Sequence, residues 1–228
     1  MRKQNGFTMI ELIMVLVVLG ILATYSIPRL NRDTRAEAMN HMLSMIRYTQ
    51  NLALHDNKQL DNNSSWQLRF WRFEIKKCGH NTGLYYRIGS DEDMKGVLSQ
   101  SESAIDPSNG KYLYWNTNDC PKSAIPAHIS PNIFITQKYG INEVDFKKCK
   151  IMQDGVKKDS SIRHVAFDSF GRYYKLSKSY NKANPIYNGI GVGDCKIEFK
   201  FEDSSIKPFT IIINKETGFA YLQERPNL

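Results

Sequence analysis

Apolar residues follow two regimes along the chain. From Phe7 to Ile27 they form one run, FTMIELIMVLVVLGILATYSI, broken by few polar positions. At 1.5 Å per residue, a helix of that length is roughly 31 Å long, close to a bilayer core of about 30 Å. Beyond Pro28 the pattern becomes periodic. Met39, Leu43, Ile46 and Ala53 recur at steps of three or four with one turn skipped, and Met42, Thr49 and Leu52 widen the stripe. Arg32, Arg35, Glu37 and Arg47 lie largely off it, so an amphipathic helix is expected to about Asp56, where His55-Asp56-Asn57 ends it. Pro28 would either kink this long helix or end its first part.

After residue 57 the period shortens to two. Trp66–Phe70 alternates, and Trp71–Ile75 alternates with the opposite phase, which predicts two strand segments with a bulge or bend near Phe70. Gly83–Ile88 is a candidate return strand, and Asp106-Pro107-Ser108-Asn109-Gly110 is a turn. The stretch 116–160 reads as irregular. Arg163–Asp168 reads as a strand closed by the turn Ser169–Arg172. Ile197, Phe199 and Phe201 alternate with charged residues as in a half-buried strand, and Phe209–Asn214 and Phe219–Leu222 flank a hairpin turn at Lys215–Gly218. The predicted fold is therefore α+β: a long N-terminal helix, half anchor and half amphipathic, on a mainly antiparallel β domain. The chain divides into a leader (1–6), a transmembrane and amphipathic helix (7–57) and a β-rich globular domain (58–228).

Composition adds two constraints. Four cysteines, Cys78, Cys120, Cys149 and Cys195, all follow the apolar run and form no C-x-x-C pair. They are expected as two disulfides in an oxidising compartment, with three connectivities open. A metal site on Cys78 and His80 lacks a second ligand pair at suitable spacing. The acids Asp91-Glu92-Asp93 are expected as an exposed acidic loop, because a calcium site needs several oxygen ligands in a defined loop. No metal and no cofactor are expected. The formal net charge of +8 fits a surface of scattered lysines. With Lys147, Lys148, Lys150, Lys157 and Lys158 it also allows a polyanion partner. No P-loop, G-x-S-x-G or H-E-x-x-H motif occurs, so the chain is not expected to be an enzyme.

Glu11 is the residue a plain anchor does not explain. A carboxylate inside an apolar run costs several kcal/mol, about 2.5–3.5 on insertion scales, and asks for a partner. A cut after Gly6 would free an amine on Phe7. The amine of one copy could then meet Glu11 of its neighbour across staggered helices. The helix N-terminus also favours an anion in its first turns.

A basic leader (Arg2, Lys3), Gly6 before the cut, Phe7 after it and Glu11 five residues into the remaining chain resemble the class III signal of type IV pilins and type II secretion pseudopilins. That resemblance implies cleavage between Gly6 and Phe7 by a prepilin peptidase and methylation of Phe7. It also implies assembly with other pilin-like subunits through Glu11. The implied location is the bacterial inner membrane, as a single-pass protein with its C-terminal domain in the periplasm. Val165–Arg172 and Ile211–Gly218 resemble, over a shorter stretch, minor pseudopilins of the GspH/FimT type. The implied function is that of a minor pilin or pseudopilin in a type II secretion or type IV pilus filament. The alternative is a minor pilin that binds DNA for uptake. The glycine at 218 is followed by Phe219-Ala220-Tyr221 rather than by arginine, so nucleic acid is the less favoured partner.

Overall fold

The computed structural model describes residues 9–60, 66–79, 83–116, 120–121, 124–146, 149–153, 156–159, 163–174 and 189–223. Its first element is a continuous helix of 46 residues, α1 (Met9–Leu54). Pro28 lies within it and does not end it.

The C-terminal half of α1 is the docked half. Ala38, Met42, Met45, Ile46, Thr49 and Ala53 are buried, whereas Met39 and Leu43 are only half-buried. The stripe is thus rotated from the sequence reading. Small Ala38 and hydroxyl-bearing Thr49 sit at its centre, and the Thr49 hydroxyl donates to Met45 O at 2.8 Å, so its polar atom is satisfied inside the helix.

Against this stripe pack β1 (Trp71–Lys77) and β6 (His164–Phe167) of one sheet and β10 (Ala220–Leu222) of another. The first sheet also contains β2 (Leu84–Gly89) and β7 (Tyr173–Tyr174), in the order β2-β1-β6-β7. The second runs β10-β9-β8-β3, with β3 at Ile141–Asp145, β8 at Cys195–Phe201 and β9 at Phe209–Ile213. A two-stranded hairpin joins β4 (Lys150–Gln153) to β5 (Val156–Asp159). Every pairing between these strands is antiparallel.

Strand β8 alternates buried and half-buried along its whole length, as its sequence predicts, and Phe199 stacks on Phe209 of β9 at 4.8 Å. Strand β6 is buried on both faces, because α1 covers one side of its sheet. On the β1–β2 ladder, Glu74 lies between Arg87, at 2.7 Å, and Lys76, at 2.8 Å. Burial alone would push this carboxyl up, but Arg87, Arg72 and Lys76 outweigh it and hold Glu74 at about 2.

Three readings are corrected. Trp66–Arg69 is a short 3-10 helix rather than a strand. Trp66 packs edge-on against Phe70, which in turn meets Tyr174. The flipped phase at Phe70 marks the junction of that turn with β1. The stretch 116–160 is not uniformly irregular: it contains α2 (Ile135–Tyr139), β3, β4 and β5. The transmembrane expectation also fails. Among the described residues no helix is long and apolar enough to cross a membrane. The single-pass location in the bacterial inner membrane, with a periplasmic domain, is therefore overturned.

The cysteines pair as Cys78–Cys120 and Cys149–Cys195, with Cα separations of 5.5 and 4.0 Å. The first ties the end of β1 to the segment before α2, and the second ties the approach to β4 to the start of β8. Cys78 is thereby committed, which removes it from any metal site with His80. His80 itself lies outside the described residues.

Candidate functional site

Among the described residues, the N-terminal stretch of α1 is largely exposed. Twelve large apolar side chains between Met9 and Leu22 are each between 48% and 83% exposed. They face every side of the helix, so no stripe is turned inward. Glu11 lies in the first turn, exposed among them, where the unpaired backbone N–H groups favour an anion. Gly6 and Phe7, the predicted cleavage residues, lie outside the described residues.

The opposite half of α1 is fastened to the domain by its polar flank. Arg35 Nε donates to Lys207 O at 2.8 Å, Arg47 Nε to Ala220 O at 2.9 Å and the Tyr48 hydroxyl to Ile105 O at 2.9 Å. His41 Nε2 shares a 2.9 Å hydrogen bond with the Tyr86 hydroxyl. Burial first, and then Lys138, lowers the His41 pKa, and burial raises that of Tyr86, so both partners are held neutral.

Gln50 fastens two turns at once. Its Nε2 donates to Gly171 O at 3.0 Å and to Thr217 O at 2.8 Å. Gly171 and Gly218 both have positive φ, +79° and +65°, and a Cβ on Gly218 would lie 1.7 Å from Gly171 O. Two turns distant in sequence thus touch backbone to backbone, and one amide from α1 joins them. These are the turns of the two C-terminal segments singled out from the sequence. The sequence marks each glycine as a turn residue; their mutual contact and the role of Gln50 have no local signal.

Arg47 also lies over the exposed ring of Phe219, at 4.7 Å. Of the lysines considered for a polyanion, Lys147 and Lys148 lie outside the described residues. Lys157 and Lys158 are on β5 and Lys150 is on β4.

The acidic loop differs from its sequence reading. Glu92 turns away to Lys58 Nζ at 2.6 Å and to Arg69. Asp91 is buried, 2% exposed. Glu102, from a 3-10 turn ten residues further on, comes to the side of Asp91 and Asp93.

Residues 1–27 match the family described as a prokaryotic N-terminal methylation motif. No curated protein and no solved structure matches the chain. The motif supports membership in the superfamily of type IV pilins and pseudopilins, and with it a structural, pilin-like subunit that associates with other such subunits and with their processing machinery. Proteins of that kind are generally non-catalytic.

Proposed function

We propose that the chain is a minor pilin or pseudopilin that is processed and then assembles into a filament of the type IV pilus or type II secretion class. Processing cuts between Gly6 and Phe7 and methylates Phe7. Glu11 then pairs with the N-terminal amine of a neighbouring copy or of a related subunit. The leader is residues 1–6, the assembly helix runs from Phe7 to about residue 57, and residues 58–228 form the domain carried on the filament.

The observation that carries this reading is the all-round apolar exposure of Met9–Leu22 beneath the methylation motif. Soluble monomers rarely expose a contiguous apolar patch beyond a few hundred Å². Each such side chain is worth about 1.5–3 kcal/mol when fully buried. Covering even part of the stretch therefore offsets the roughly 4–15 kcal/mol that association costs. A helix apolar on all sides suits the centre of a bundle, where copies of the same segment supply the cover. A carboxylate in that setting is tolerated only with a hydrogen-bonded charge partner, which a neighbour's amine provides.

The test is intact-mass analysis of the chain expressed with and without a prepilin peptidase. Loss of Met1–Gly6 and gain of one methyl on Phe7, only with the peptidase, is the expected result. A chain left whole beside a peptidase that processes a control pilin would remove the basis for assembly.

A further inference from the structure

We infer that the junction of the two glycine turns is a docking surface for an acidic segment of another protein. Arg47 takes a carboxylate of that segment, and an apolar neighbour of the carboxylate covers Phe219. Two contacts set Arg47 for this. Its Nε donates to Ala220 O at 2.9 Å, and its guanidinium lies over the Phe219 ring at 4.7 Å. Among the described residues neither terminal nitrogen has a partner, and no carboxylate comes within ion-pair distance. A planar guanidinium held at Nε and against a ring keeps its outer fork free, and that fork matches the two oxygens of a carboxylate.

The surface round this arginine is apolar. Phe219 is 51% exposed, and Tyr221, 37% exposed, stacks beside it with ring centres 6.4 Å apart. On the other turn Phe170 is 73% exposed, and Leu54, at the end of α1, is 48% exposed. Because Gly171 touches Gly218, these side chains bracket one junction, and Gln50 holds it together. Aromatic rings beside an arginine are the composition of interface centres. A surface fixed in this way loses little freedom on binding.

The charges at the junction select the class of partner. Phe170 has an arginine of its own, Arg172, at 5.4 Å, but that arginine already lies 2.8 Å from Asp168. Lys215 is likewise 2.9 Å from Glu216. Among the described residues of the junction, Arg47 is thus the cation left without an acid. A nucleic acid or an anionic membrane draws its affinity from several free cations together. One fixed fork amid exposed rings suits a single carboxylate set among apolar side chains. The inference does not rest on cleavage or on the pairing of Glu11.

The test uses the full chain in detergent micelles and a short, capped, fluorescent peptide of glutamate and leucine, with binding read by anisotropy. Saturable binding is expected, weakened roughly tenfold or more when glutamine replaces the glutamates. Arg47→Gln should weaken it by a similar factor, and Arg47→Lys should not restore it, since an ammonium lacks the fork. Phe219→Ala should weaken it roughly fivefold, and Lys207→Gln, beside Arg35 rather than Arg47, should leave it unchanged. Circular dichroism checks that each variant folds, and the glutamine peptide probes the same contact with the protein unaltered. Absence of saturable binding would overturn the proposal. So would binding that Arg47→Gln leaves unchanged, which would put the peptide elsewhere, Met9–Leu22 included. Tighter, Arg47-dependent binding of a single-stranded oligonucleotide would overturn it as well.

Discussion

The two halves of α1 are one continuous helix with opposite relations to the protein. The C-terminal half turns Ala38, Met42, Ile46 and Thr49 into the core and uses Arg47 and Gln50 to hold the turns around it. Among the described residues of the N-terminal half, the apolar side chains from Met9 to Leu22 are exposed on every side of the helix. A stripe of period 3.6 finds its cover within its own chain, whereas an unbroken apolar run asks for cover from another molecule. Stability of the domain and competence for assembly should therefore separate along this one helix.

The sharpest way to break that separation is at the two glycines. Gly218→Val would place a side chain against Gly171 O, where even a Cβ would sit at 1.7 Å, and at a φ of +65°. It should cost more than about 3 kcal/mol and be seen as a large fall in melting temperature. Gly20→Ala, in the other half, meets nothing within 4 Å and should raise helix stability by roughly 0.8–1 kcal/mol.

Met42→Ala, at a fully buried site, should cost about 2–5 kcal/mol in denaturant unfolding. Leu16→Ala should leave that unfolding curve unchanged and lower only assembly. Acid tests the domain alone. The Glu74 carboxyl is depressed in the folded state to about 2 from its ordinary value of about 4.5 by the Arg87, Arg72 and Lys76 charges. Its contribution is fully present above the unfolded value and fades as pH falls from about 4.5 to 2. Up to about 3 kcal/mol should be lost over that window, and Glu74→Gln should flatten that part of the pH profile. Gln50→Ala removes two hydrogen bonds to turn carbonyls and should cost about 1–3 kcal/mol, read in the same unfolding assay.

Much of this architecture can be read from the sequence where the pattern is local. Ile197, Phe199 and Phe201 announce β8, Gly218 announces the hairpin, and the four cysteines announce two bridges whose pairing only the fold decides. The errors have physical causes. Trp66–Phe70 alternates for five residues, too short a run to separate a strand from a turn whose aromatics meet each other. The α1 stripe is displaced because Ala38 carries a weak hydropathy signal yet is fully buried. The helix α2 is a single turn and a half, below what periodicity can detect. Gln50 acts through partners distant in sequence, so no local pattern reveals it. The N-terminal half presents the reverse case: its motif is clear in sequence, while the cover proposed for it lies in other molecules.

The most direct test of the central claim is crosslinking between copies through single cysteines placed at Leu12, Val15, Leu16 and Leu19, in cells with an active prepilin peptidase. The account predicts crosslinks to other copies or to related subunits at positions around the helix, lost when Gly6 is altered to block cleavage and reduced in Glu11→Ala while the domain stays folded. A folded, processed chain that forms no such crosslink at any of the four positions would contradict it.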